Sequence, residues 1–285
     1  MATHTLTVNN TSLAVQTCGS GQPVVLLHAF PLDHDMWQRV LPLADHLRLI
    51  IPDLRGFGRS AGAAADPPAP LSIAQLADDV AGLLEALHVS EPAVIVGVSM
   101  GGYVAQHLAV RHPERVSRLV LVDTKFAADT PEARAGRADL AAKVGRLGQQ
   151  VLAEAMVPNL LAASAAATSR PERADTERLL EEIIARQSVA TIQAALAALG
   201  ERPDMTEAMR QCDKPVLLVC GAEDTLTPPV VMEAMEQALP AGQLLVVPEA
   251  GHLVPLEAPE IFSAAILSFL GLAVQAGHSA AGETG

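Results

Sequence analysis

Aromatic residues are scarce in this chain. Phe, Tyr and Trp make up 2% of its 285 residues, so a core must be built from Leu, Val, Ile and Ala, and the apolar types together reach 50%, enough for a sizeable one. Cysteine is scarce too. Cys18, Cys212 and Cys220 are odd in number, widely spaced and form no CxxC pair, which argues against a disulfide framework and a zinc site. Basic charge is in deficit, with 19 Lys and Arg against 32 Asp and Glu and a net charge of −13. Such a chain repels phosphate backbones and anionic headgroups, so neither a nucleic acid nor a membrane surface is the expected partner. Long apolar runs are missing: the longest, 261–274, is broken by Ser263, Ser268 and Gly271 and falls short of a membrane span. The opening MATHTLTVNN has no basic stretch and no apolar run, so no secretory leader is expected and the reading is cytoplasmic.

What is present is a rhythm. Short Val/Ile/Leu-rich runs recur at 24–27, 49–51, 93–98, 119–122, 215–220 and 244–247. Most lack polar alternation, as strands covered on both faces of a parallel sheet do. Between them lie segments of helical period. In 72–87 the apolar residues Ile73, Leu76, Val80, Leu83, Leu84 and Leu87 share one face, and Ser72 with Gln75 fits a capping box. The alternation predicts an α/β fold with a mostly parallel, doubly wound sheet, preceded by a hairpin of 6–8 and 13–16 across Asn9–Asn10. From 127 to 205 the rhythm stops. This stretch is rich in Ala, Arg, Glu and Leu and holds no aromatic residue. The expected domains are a core of 1–125 and 206–274, a helical lid insertion of 126–205, and a disordered tail of 275–285. A lid there would lie over the sheet edge where open α/β sheets place ligands.

Chemistry concentrates at three places. Gly97-Val98-Ser99-Met100-Gly101 follows a strand-like run and precedes a helical segment, the setting of a nucleophile elbow in which flanking glycines admit close neighbours. Serine needs an adjacent base. His252 follows the last strand-like run and would lie at the same sheet edge as Ser99; His28, ending the run 24–27, is the weaker rival. The base needs a carboxylate. Asp224 follows the run 215–220, Asp123 is its rival after 119–122, and Glu223 is adjacent. The order Ser99, Asp224, His252 fits one serine-hydrolase arrangement and not the other common ones. The backbone N–H of Met100 and that of Phe30, in the loop after 24–27, are the candidate oxyanion donors.

Six segments together resemble the α/β-hydrolase family, in the group of enol-lactone hydrolases, small carboxylesterases and cofactor-free haloperoxidases (perhydrolases). They are His28–Pro31, Pro52–Ser60, Gly97–Gly102, His112–Arg115, Gly221–Asp224 and Gly251–His252. The resemblance spans about 24–269, the lid being its least similar part. It implies the α/β-hydrolase fold, Ser99, Asp224 and His252 as triad, Phe30 and Met100 as oxyanion donors, and neither cofactor nor metal. Ala29 stands where the family usually has glycine. Ser99 argues against the relatives with an aspartate nucleophile, dehalogenases and epoxide hydrolases.

Trp37, Phe126, Met156 and Leu160 are the expected walls of a substrate pocket. Lid residues Arg134, Arg137, Arg146, Arg170, Arg173, Arg178 and Arg186 are candidate anchors for an anionic substrate, although arginines on such helices usually face solvent. The reading is a serine hydrolase of small-molecule carboxylic esters or lactones that works through an acyl-enzyme, with homo-oligomerisation left open. A perhydrolase, a carbon–carbon bond hydrolase and a non-catalytic receptor are the alternatives.

Overall fold

The computed structural model describes residues 1–61 and 71–272; the stretch 273–285, with the expected tail, lies outside them. The chain opens with strands β1 (Ala2–Val8) and β2 (Thr11–Cys18), joined at Asn9 and Asn10, both at positive φ. Two left-handed residues make a tight turn whose twist matches that of the strands. Strands β3 (Pro23–Leu27) and β4 (Arg48–Pro52) follow, separated by a run of 3₁₀ turns over His34–Asp45. Helix α1 (Ile73–Ala86) starts where Ser72 accepts the Gln75 N–H and buries the apolar face read from its period. Strand β5 (Ala93–Val98), helix α2 (Met100–Arg111) and strand β6 (Val116–Val122) complete the first half.

Five helices then run without a strand: α3 (Pro131–Leu147), α4 (Gln150–Leu160), α5 (Ala165–Thr168), α6 (Arg173–Ala185) and α7 (Val189–Glu201). They pack as pairs, α3 on α7 and α4 on α6. The segment leaves and rejoins the core at one place. Phe126 O accepts the Met205 N–H at 2.9 Å. Nearby, Arg202 stacks over Tyr103 of α2 at 4.2 Å and pairs with the buried Asp129 at 2.8 Å. Burial would raise the Asp129 carboxyl, but Arg137 and Arg202 beside it hold it at about 2. The core resumes with α8 (Thr206–Arg210), β7 (Val216–Gly221), α9 (Pro229–Ala238), β8 (Gly242–Val247), α10 (Val254–Glu257) and α11 (Pro259–Phe269).

The sheet order is β1-β2-β4-β3-β5-β6-β7-β8. β1–β2 and β2–β4 are antiparallel and every later pairing is parallel. All residues of β3, β5 and β7 are buried, because helices cover both faces. This is an α/β-hydrolase fold. The parallel strands aim their C-terminal ends at one edge, where the loops after β3, β5, β6, β7 and β8 meet. Among the described residues, no single helix is long and apolar enough to cross a membrane.

Candidate active site

Ser99 stands alone between β5 and α2, with φ 52° and ψ −110°. A non-glycine residue in this region carries strain of about 1–3 kcal/mol. Close packing holds it there. A Cβ at Gly97 would run into the carbonyl of Gly101, and one at Gly101 into the carbonyl of Leu27. Ser99 N–H donates to Val122 O at 2.9 Å, and Thr124 Oγ1 donates to Ser99 O at 3.0 Å. The serine is thus pinned between β6 and α2 while its side chain remains partly exposed.

Asp224 and His252 come from the loops after β7 and β8 and are both buried. Their side chains meet, His252 Nδ1 to Asp224 Oδ2, at 2.8 Å. Asp224 Oδ1 accepts the N–H groups of Leu226 at 2.8 Å and Thr227 at 3.1 Å. Its Oδ2 also accepts the Thr227 hydroxyl at 2.6 Å. Burial pushes the Asp224 carboxyl up, but His252 and the Thr227 donors outweigh it and hold it at about 2. An ionised acceptor on Nδ1 keeps the proton there and leaves Nε2 free to take one. Among the described residues, the side-chain bonds of His252 run to Asp224 and Thr227, and none runs to Ser99. Nucleophile–base contacts are often loose in the absence of substrate. Thr227 was not visible as a site residue; its signal is the Asp-x-x-Thr spacing of a side chain that closes a turn.

The rivals are placed differently. His28 is fully buried with both ring nitrogens engaged, Nδ1 with Ala29 O at 3.0 Å and Nε2 accepting Leu54 N–H at 3.0 Å. Burial pushes its pKa down. Asp123, also fully buried, accepts Gly221 N–H at 2.9 Å and points its other oxygen at Val254 N, 3.5 Å away. Burial, and then the charge of Asp224, push its carboxyl well up. Glu223 turns outward to the N–H groups of Ala163 and Ser164.

The candidate oxyanion donors follow neighbouring strands, Phe30 in the loop after β3 and Met100 at the start of α2. β3 and β5 pair with Leu27 opposite Gly97, so Phe30 and Met100 each lie three residues past that rung. The Phe30 ring is edge-on to Phe57 at 6.4 Å. Ala29 keeps a φ outside the positive region, which is why it can stand in place of glycine. Leu160 touches the site directly, its carbonyl accepting His252 N–H at 3.0 Å. Phe126 is buried where the helical segment leaves β6, and Met156 is half-buried on α4. Trp37 is fully buried with its ring on Phe262, centroids 6.3 Å apart.

Several of the helical-segment arginines have carboxylate partners. Arg137 bonds Asp129, Arg178 bonds Asp175, and Arg186 bonds Asp33 and Asp35. Among the described residues, two clusters bring three ligating atoms within 4.8 Å: Asp33, His34 and Asp53, and Asp123, Cys220 and Asp224. In the first, Arg186 and Gln187 occupy Asp33, and His34 occupies Asp53. In the second, Asp123 accepts Gly221 N–H, burial pushes the Cys220 thiol up, and Asp224 bonds His252.

A family model described as alpha/beta hydrolase fold matches residues 22–259. A pimeloyl-[acyl-carrier protein] methyl ester esterase of Vibrio vulnificus is 32% identical over 265 residues, 92% of this chain and 99% of that protein. BpoC of Mycobacterium tuberculosis, named provisionally as a non-heme bromoperoxidase, is 30% identical over 270 residues, covering 90% and 97%. The structure of a thermophilic esterase from Thermogutta terrifontis (malate bound) superposes with a TM-score of 0.87 at 35% identity, covering 95% of this chain and 98% of that one. The chain therefore belongs to the α/β-hydrolase family.

Proposed function

We propose that the protein is a serine hydrolase of small carboxylic esters or lactones. The observation that carries this reading is the buried His252–Asp224 pair, oriented by Thr227, at the same sheet edge as the strained Ser99. Ser99 Oγ attacks the carbonyl carbon while His252 Nε2 takes its proton. Asp224 stays ionised and stabilises the imidazolium. The N–H groups of Phe30 and Met100 receive the negative charge on the carbonyl oxygen, each such donor being worth about 10²–10³ in rate. His252 returns the proton to the leaving alcohol, and the acyl-enzyme remains. Water, activated by the same histidine, then releases the acid. The segment 126–205 acts as a lid, and Leu160, Met156 and Phe126 form the apolar wall of the acyl site, with Trp37 behind it.

The similarity to proteins named as esterases, one of them a methyl ester esterase, supports ester cleavage over the other chemistries of the family. A second reading, in which hydrogen peroxide replaces water in the last step, rests on the likeness to BpoC. The test is hydrolysis of p-nitrophenyl esters from acetate to decanoate by wild type and Ser99→Ala. Turnover that vanishes in the variant supports the acyl-enzyme. Turnover that persists in it excludes Ser99 as nucleophile. Monochlorodimedone bromination with peroxide separates the second reading from the first.

A further inference from the structure

The loop that carries His252 does not hold itself in place. The extended stretch 160–164, between α4 and α5, is bonded to both loops of the charge pair. Leu160 O accepts the His252 backbone N–H at 3.0 Å. Glu257 of α10 places Oε1 on Ala162 N–H at 2.7 Å and Oε2 on Gly251 N–H at 2.8 Å. Glu223, next to Asp224, accepts from Ala163 N–H at 3.0 Å and Ser164 N–H at 2.8 Å. The two backbones pack without a side chain between them: a Cβ at Gly251 would lie 2.6 Å from Ala162 N and 2.7 Å from Leu161 C. Two arginines complete the clamp, Arg173 donating to Ala162 O at 2.5 Å and Arg170 to Glu257 O at 2.6 Å.

We propose that Glu257 is a positioning residue for His252, bridging the stretch 160–164 to Gly251 and so fixing where the imidazole stands relative to Ser99. This rests on the reading of His252 as the general base. The bond to Asp224 sets the rotation and tautomer of the ring. The position of Nε2 depends on the backbone beneath it, and that backbone is tied to the helical segment through Leu160 and Glu257. Burial pushes the Glu257 carboxyl up against the pull of its N–H donors. Its two oxygens each take one of the two converging N–H groups. A glutamine offers one oxygen and turns an NH₂ toward the other N–H, leaving a buried donor unpaired. The stretch thus acts on the chemistry as well as covering it, and misplacing a base by about 1 Å costs on the order of 10²-fold in rate.

The experiment compares Glu257→Gln, Glu223→Ala and His252→Ala with wild type on p-nitrophenyl butyrate. It measures kcat, KM, thermal melting and the downfield proton resonance of the His252 Nδ1–H. In Glu257→Gln, kcat is expected to fall between about 10- and 100-fold with KM changed by less than about threefold, in a protein that still folds, and the downfield resonance is expected to broaden or disappear. A folded Glu257→Gln with kcat and the resonance intact overturns the proposal. Should that variant not fold, Glu223→Ala, which removes the acceptor of the Ala163 and Ser164 N–H groups at the more exposed end of the same stretch, decides. A loss of kcat of about 3- to 10-fold at constant KM supports the coupling, on the scale of one weakened hydrogen bond, and unchanged kcat overturns it. His252→Ala with turnover intact overturns the underlying assignment of the base, whatever Glu257 does.

Discussion

Replacing Asp224 by asparagine sets the charge pair its most exacting test. The two backbone donors, Leu226 and Thr227, both go to Oδ1, which an asparagine oxygen replaces without loss. Oδ2 accepts the Thr227 hydroxyl and His252 Nδ1, and there the amide NH₂ meets donors. The hydroxyl can turn. The imidazole can accept from the amide only by moving its proton from Nδ1 to Nε2, the atom that must take the serine proton. Turnover at neutral pH should fall by about 10⁴, or roughly 5 kcal/mol in the barrier. The carboxyl's displacement from its ordinary 3.8 to about 2 also corresponds to roughly 2 kcal/mol of stability. Its sign is that of a lowered acid: present above about pH 4 and lost as pH falls toward 2. The assay is kcat/KM on p-nitrophenyl butyrate with a chemical denaturation curve beside it. Asp123→Asn is the comparison, because the Asp123 oxygens go to the backbone N–H groups of Gly221 and Val254 and not to His252, and its kcat/KM should fall by less than about tenfold, the scale of one buried donor left unpaired. Asp224→Asn within tenfold of wild type, or a larger loss in Asp123→Asn, would refute the assignment of the acid.

Ser99→Gly should abolish turnover yet raise Tm by roughly 2–4 °C, because glycine relieves about 1 kcal/mol of strain at φ 52°; a lower Tm counts against strain at the elbow. Arg186→Ala should destabilise by about 2 kcal/mol in urea. The fully buried Asp33 loses its guanidinium, but that group is 42% exposed and Gln187 still donates to Asp33. His34 has its pKa depressed by burial but held at about 9 by Asp35 and Asp53. Its charge therefore stabilises the fold below about pH 6.5, by at most about 3 kcal/mol, and that contribution disappears as pH rises through 9. His34→Gln should flatten the alkaline arm of a stability–pH curve; an unchanged slope sets the idea aside.

The central strands were legible because they are buried on both faces. A run such as Ala93–Val98 has no polar residue to hide, so composition alone marks it. Ser72 and the hairpin asparagines were legible because capping and turn chemistry is local. Ser99, Asp224 and His252 could be located because each follows a strand-like run, and parallel strands deliver such loops to one edge. The sequence favoured Asp224 over Asp123 by motif and chain order, but it carried no contact that tells the two apart. Both follow strands, and their surroundings in three dimensions set one against His252 and the other against the Gly221 N–H.

The sequence by itself determined the class of fold, the edge on which the chemistry gathers and the residue types available there, since these follow from periodicity and from motifs confined to a few neighbours. Tertiary structure alone decided the roles of Glu257, Glu223 and Arg186. Each makes its contacts with residues 59 to 153 positions away or reaches across from another element. Their residue types are ordinary for exposed helices and loops, so nothing local distinguishes them. A long-range hydrogen bond leaves no period in a sequence, and it exists only once the helical segment has packed against the loops of the sheet.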